Sequence, residues 1–163
     1  MIYLRPLTIK DANRLFEIKS NPNNFNKKFT NFDTENVTLI GINQFLKNII
    51  NEVDAIRLGI CIKKENILIG SITLGNINYN SSCCELHIYI DIKYQNMGCG
   101  KSSLKRILNY INYVLNLNTV TLKVHKEHYK AVNLYKKTGF NISSDSNDSN
   151  DNDDFLNMYL TFK

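Results

Sequence analysis

The spacing of apolar residues switches at Gly98 from a strand period to a helical one, and that switch constrains the fold more than any other feature. Before it lie three apolar, strand-like segments. Ile56, Leu58, Ile60 and Ile62 alternate with Arg57, Gly59, Cys61 and Lys63. Ile67 to Asn78 forms a second apolar segment. Cys84, Leu86, Ile88 and Ile90 then alternate with Glu85, His87, Tyr89 and Asp91. Lys64-Glu65-Asn66 and Asn80-Ser81-Ser82 supply the turns between them, so the three segments read as an antiparallel meander. From Gly98 to Asn116 the residues Leu104, Ile107, Leu108, Ile111, Val114 and Leu115 recur every three or four positions, the stripe of an amphipathic helix. Such a chain must cover a sheet with helices rather than form a bundle or a sandwich.

The flanks extend this pattern. Leu4 to Leu7 reads as a short strand, and Thr8 with Asp11 three residues on reads as a capping box. The helix that follows carries Ala12, Leu15, Phe16 and Lys19 on one face. Asn21 to Phe32 reads as a polar loop. Thr34 is expected to open a second helix bearing Val37, Ile40, Phe45, Ile49 and Ile50, with Gly41 inside it. After the long helix come a strand at Thr119–Val124, a helix at Tyr129–Thr138 that Gly139 ends, and two strands at Phe140–Ser143 and Phe155–Phe162. The expected order is β-α-α-β-β-β-α-β-α-β-β, an α/β (α+β) fold with a mixed sheet.

Composition narrows the function classes. A chain of 163 residues, 43% hydrophobic, is expected to form a single domain over 1–163. No apolar run reaches the ~20 residues of a membrane helix. Met1-Ile2-Tyr3-Leu4-Arg5-Pro6 lacks the basic and apolar regions of a signal peptide, so the expected compartment is the cytoplasm. Cys61, Cys83, Cys84 and Cys99 show no zinc spacing, and reduced thiols are expected. No metal is implied. The net charge is +5, yet Asp145, Asp148, Asp151, Asp153 and Asp154 fall in one stretch without a base, which leaves about +10 on the rest. A basic body suits an anionic partner: nucleic acid, phospholipid or a phosphorylated cofactor. No aromatic-basic motif supports nucleic acid. No heptad seam marks a coiled-coil interface, and a homo-oligomer stays open. The stretch Ser143–Asp154 reads as a flexible acidic loop. It lacks the Gly and terminal Glu of a calcium loop.

The chemistry concentrates at Tyr94-Gln95-Asn96-Met97-Gly98-Cys99-Gly100-Lys101-Ser102, between the third meander strand and the long helix. Two glycines allow a tight turn, and unpaired N–H groups at a helix start attract anions, with Lys101 adding a charge. A pyrophosphate is the natural guest. Taken alone, the stretch also reads as a turn without chemistry. A P-loop would need Gly five residues before Gly100, where Gln95 stands.

Gln95-Asn96-Met97-Gly98-Cys99-Gly100 resembles the Q-x-x-G-x-G pyrophosphate loop of the GNAT acetyltransferase superfamily, which binds acetyl-CoA. Ala131-Val132-Asn133-Leu134-Tyr135-Lys136-Lys137-Thr138-Gly139-Phe140 is similar to that family's A-x-x-L-Y-x-K-x-G-F signature. Leu4-Arg5-Pro6-Leu7 followed by Asp11-Ala12 resembles the start of the ribosomal-protein and spermidine acetyltransferase branch, and Glu85 to Phe140 is most similar to spermidine acetyltransferases. The resemblance covers nearly the whole chain except the loops. It implies a fold in which the strand before the loop splays from its neighbour and receives the pantetheine arm along Ile88, Tyr89 and Ile90. Gln95, Asn96, Met97, Gly98, Cys99, Gly100 and Lys101 would then hold the pyrophosphate. His128 stands where the family usually places a cofactor-contacting Asn, and Met97 where a base is common.

The resemblance also implies N-acetyl transfer from acetyl-CoA by direct attack of a primary amine: a polyamine, a protein N-terminus or another small amine. The alternative is a non-catalytic CoA-binding module. Tyr135 takes the general acid's position. A phenol of pKa ~10 can protonate a departing thiolate of pKa ~8.5. On spacing alone it also reads as a core tyrosine. An alkyl amine of pKa ~10.4 must lose a proton, at a cost of ~4–5 kcal/mol at pH 7. Glu85, on one face with His87 and Tyr89, is the candidate base, directly or through a water. A surface glutamate is the competing reading, and His87 reads as structural. A backbone N–H near Ile90 would stabilise the oxyanion. The acidic loop borders the acceptor site in such a fold and would attract a cationic acceptor, or be a plain hairpin loop.

Overall fold

The computed structural model describes residues 1–144 and 154–163. The acidic loop of the sequence reading therefore lies almost wholly outside the described residues. Seven strands, β1 (Ile2–Pro6), β2 (Ile56–Ile62), β3 (Ile67–Asn78), β4 (Cys83–Ile90), β5 (Thr119–His125), β6 (Asn141–Ile142) and β7 (Phe155–Thr161), form one sheet in the order β1-β2-β3-β4-β5-β7-β6. Four helices, α1 (Ala12–Ser20), α2 (Leu39–Asn48), α3 (Cys99–Tyr113) and α4 (Tyr129–Lys137), cover it. Every pairing is antiparallel except β4 with β5, where the α3 crossover makes it parallel.

Two apolar layers explain the alternation. Ile60, Ile72, Leu74, Leu86, Val120 and Met158 join Leu104, Ile107 and Ile111 of α3 on one face. Leu7, Cys61 and Leu68 join Leu15 and Ile18 of α1 and Ile42 and Leu46 of α2 on the other. Both Ile60 and Cys61 are therefore fully buried, although they point to opposite sides of β2.

The second helix departs from expectation. The second helix starts at Thr38, whose hydroxyl accepts from the Gly41 N–H (3.0 Å), and Thr34 lies buried in the preceding turn. Asp33 Oδ1 holds that turn by accepting from Glu35 N–H (2.9 Å), so the Asx turn takes the position that Thr34 was expected to cap. At the first helix the box does form. Asp11 accepts from Thr8 N–H (2.8 Å) and from both arms of Arg5 (2.7 and 2.8 Å). Burial works to raise its carboxyl pKa, but Arg5 and Thr8 outweigh it and hold it below the usual range. A single 3-10 turn, Ile9–Asp11, precedes α1. The four thiols are unbridged.

Candidate active site

Strand β4 is paired on both edges only at its start. Cys83, Cys84 and Glu85 meet Thr119, Val120 and Thr121 of β5, and the parallel pairing stops there. On its other edge β4 continues against β3 up to Ile90, opposite Gly70. The β4 edge facing β5 is thus open from Leu86 to Ile90. Asp91 N–H donates to Ile69 O (2.7 Å), toward β3. Strand alternation then turns the backbones of Ile88 and Ile90 to the open edge and that of Tyr89 to β3. Gly70 permits the close approach there, because a Cβ at that position would lie 2.2 Å from Tyr89 O.

The glycine loop begins where this open edge ends. A 3-10 turn, Ile92–Tyr94, leads into it, with Asp91 accepting from Lys93 N–H (3.2 Å). Buried Asp91 also pairs with Arg14 of α1, whose Nε donates to Leu68 O (3.0 Å), so the loop's entry is anchored to the opposite layer. Gln95 Nε2 donates to Ile90 O (2.8 Å) and ties the loop back to the open edge. Asn96 (φ 59°) and Gly98 (φ 79°) turn through the left-handed region. The first helical bond of α3 runs from Ser102 N–H to Gly98 O (3.0 Å), and no side chain caps the start. The N–H groups of Cys99, Gly100 and Lys101 therefore precede the helical ladder and are available to an anion. Met97 is exposed and adds no charge.

Tyr135 is buried in the core layer it shares with α3, and its neighbour Leu134 lies where a Cβ at Gly100 would meet it at 3.4 Å. Its helix ends in a Schellman motif: Phe140 N–H donates to Tyr135 O (3.0 Å), Gly139 N–H to Lys136 O (3.1 Å), and Gly139 has φ 105°. The Phe140 ring lies edge-on to Tyr135 at 5.7 Å. The Gly-Phe of the second motif thus orients the tyrosine. Burial pushes the Tyr135 phenol up to about 12, and its hydroxyl makes no hydrogen bond within the described residues.

Glu85, His87 and Tyr89 lie on the other sheet face. Glu85 accepts from Asn76 Nδ2 (2.8 Å) and sits 3.2 Å from His87 Nε2. A cleft of about 420 Å³ opens beside it, lined by Thr121, Lys123, Asn157 and Tyr159 among others. Tyr89 is partly covered. Its hydroxyl is shut away from water and meets no partner in good hydrogen-bond geometry among the described residues; burial pushes its pKa up to about 12, an effect that the nearby Ser71 hydroxyl offsets only in part. The larger of the two clefts, about 530 Å³, is lined by Arg5, which pairs with Asp11, by Arg14, which pairs with Asp91, and by Lys10.

The segment between α1 and α2, read as a polar loop, carries phenylalanines that dock on this face. Phe25 packs on Tyr89 (5.5 Å), and Phe29 stacks on His128 (4.5 Å, 8°) and touches His125 (5.3 Å). Asn24 Oδ1 accepts from Ile92 N–H (2.7 Å), and Lys28 pairs with Glu127. The signal in the sequence is Phe25, Phe29 and Phe32 at spacings of four and three amid asparagines. His128 caps no helix group with its side chain. Burial first, then His125 and Lys130, lower its pKa and favour the neutral ring. Among the described residues no three His, Cys, Asp or Glu side chains converge as a metal site, and no helix is long and apolar enough to cross a membrane.

A mixed sheet parted between its parallel strands, with an uncapped helix start at the parting, defines an acyl-CoA N-acyltransferase architecture. The chain belongs to the acetyltransferase (GNAT) domain family, whose model matches residues 2–141. Its similarity to spermidine N(1)-acetyltransferases is local: 38% identity over 73 residues to that of Vibrio cholerae serotype O1, 45% of this chain and 42% of the relative. The match to the Escherichia coli K12 protein is 34% over 76 residues, 47% and 41%. The chain therefore aligns with about two fifths of the length of these curated relatives. The fold is shared throughout with V. cholerae spermidine N-acetyltransferase in complex with CoA and spermine, at TM-score 0.84 and 24% identity over 98% of this chain and 95% of that one. A dodecameric structure of the V. cholerae enzyme in an intermediate state gives TM-score 0.79 and 24% identity, over 98% and 93%.

Proposed function

We propose that this chain, acting as one N-acetyltransferase domain, moves the acetyl group of acetyl-CoA to a primary amine, with a polyamine of the spermidine type as acceptor. The observation that carries the reading is the end of β4–β5 pairing at Glu85–Thr121, next to an uncapped helix start. Ile88 and Ile90 would offer backbone groups to the pantetheine arm. The N–H groups at Cys99, Gly100 and Lys101, with the Lys101 charge, would hold the pyrophosphate. Gln95 braces that loop. When bound, acetyl-CoA supplies an activated thioester.

The chain's own residues manage the protons. Glu85, with His87 beside it, accepts the amine's proton directly or through a water. Tyr135 is proposed to direct its Oη–H at the departing sulfur as a hydrogen-bond donor. A phenol near 12 is fully protonated at neutral pH. It is a weak acid against a thiol of ~8.5, so it acts by strengthening a hydrogen bond as charge builds on sulfur. The acceptor class rests on the local similarity to the two spermidine acetyltransferases.

The experiment is an amine panel monitored by thiol release, run on wild type and Tyr135→Phe with CoA affinity measured in parallel. Release with spermidine that falls at least tenfold in Tyr135→Phe, at unchanged CoA affinity, is the expected result. CoA binding without release from any amine would support a non-catalytic module instead.

A further inference from the structure

Lys19 of α1 turns its ammonium into a box of aromatic faces. Its Nζ lies 5.2 Å from the Phe32 ring centroid, 5.3 Å from Phe45 and 5.7 Å from Tyr89. Phe25 backs the box, packed against Phe32 at 4.4 Å and Tyr89 at 5.5 Å. Four separate parts of the chain meet here: α1, the α1–α2 segment, α2 and β4.

Among the described residues no carboxylate answers this charge. Lys19 makes no hydrogen bond or ion pair among the described residues. The nearby Arg57, also over Phe45 at 5.2 Å, is held by both oxygens of Glu52 (2.6 and 2.8 Å). Burial and the Arg57 charge lower the Lys19 pKa, so the site is not an electrostatic trap. What remains is the attraction of ring faces for an organic cation, which grows as water is excluded. Lys19, Phe32, Phe45 and Tyr89 are each only partly covered.

We propose that Phe32, Phe45 and Tyr89 form a binding site for an alkylammonium ion, and that Lys19 occupies it as a tethered competitor which a free ligand must displace. The site goes beyond the acetyl-transfer reading. It lies on the Glu85 face of β4, four residues and ~13 Å along the strand from Glu85. A cation held there would fix the far end of a long acceptor. Binding of a cation at these rings needs no turnover. A tethered group competes at an effective concentration of about millimolar or more, so wild type binds free monocations weakly.

The test uses tetramethylammonium, which has no N–H and cannot be acetylated. Calorimetric titration should show Lys19→Ala binding it at least about tenfold more tightly than wild type. Adding Phe45→Leu should remove that gain. Equal affinity in wild type and Lys19→Ala, or a gain that survives Phe45→Leu, overturns the proposal. Should Lys19→Ala fail to fold, wild type labelled with ¹³C-lysine decides. The Lys19 ε-methylene signal, displaced by the rings, must move toward the position of exposed lysines as the cation is added. A signal that stays fixed to saturating salt overturns the proposal, with sodium chloride as the control. Because these readouts are binding alone, their failure leaves the thiol-release result untouched, and the converse holds.

Discussion

The two ends of β4 are built from the same alternation and do opposite things. At Cys83–Glu85 the strand is hydrogen-bonded on both sides, and Ser82 fastens β5 to it by accepting from the Asn118 and Thr119 N–H groups (2.9 and 3.0 Å). At Ile88–Ile90 it is bonded to β3 alone, and a Gln95 side chain takes the place of a missing strand. An apolar strand left with an open edge invites pairing with other chains. Here the edge is short and sits beneath the glycine loop. The closed end supplies rigidity, and the open end supplies unsatisfied backbone groups at a fixed place. Parting two parallel strands opens a gap in the sheet without any new side chain.

The comparison can be broken most severely at Gly70. Gly70→Ala puts a Cβ against Tyr89 O and should cost about 3 kcal/mol or more, read by denaturant unfolding, because backbone rather than a flexible tip must move. Next comes Tyr135→Phe, which removes a proton donor but no packing. Turnover should fall about tenfold, equivalent to ~1.4 kcal/mol, with stability nearly unchanged. At the closed end, Ser82→Ala removes an Oγ that accepts from Asn118 N–H (3.1 Å) and should cost about 1 kcal/mol of stability while CoA affinity holds. At the open end, Gln95→Ala should do the reverse, weakening CoA binding about threefold with little change in unfolding. Equal behaviour of the last two variants would erase the distinction between the ends.

The smallest expected effect is a pH dependence. His128 has its folded pKa lowered, so it binds its proton more readily in the unfolded chain. Its contribution to stability is complete above the unfolded value of ~6.5 and is lost as pH falls through the folded value. Melting temperatures measured from pH 7.5 to 5 should drop more in wild type than in His128→Phe.

Much of this was legible because it follows from local chemistry. The period change at Gly98 gave the sheet and its long helix, and Thr8 with Asp11 gave the first cap. Lys137-Thr138-Gly139-Phe140 gave a helix stop whose full consequence, the edge-on ring beside Tyr135, needs three dimensions. The parting of β4 from β5 left no mark in the alternation, since Ile88 and Ile90 look alike whether or not a strand lies beyond them. It was implied by family resemblance only. Phe25, Phe29 and Phe32 were hidden by their polar neighbours, because a loop's composition does not say which of its residues find a partner. Lys19 was placed on the right face, but its rings come from three other parts of the chain.

The stop at Gly139 has a practical corollary for anyone rebuilding this protein. Tyr135 takes its bearing from a peptide that closes on itself within five residues, so its aim is set before β6 begins. Exchanging residues 145–153 while keeping the core strand β7, whose Leu160 lies against Gly139, should therefore leave the phenol's aim unaltered, which makes that stretch the natural place to graft new recognition segments.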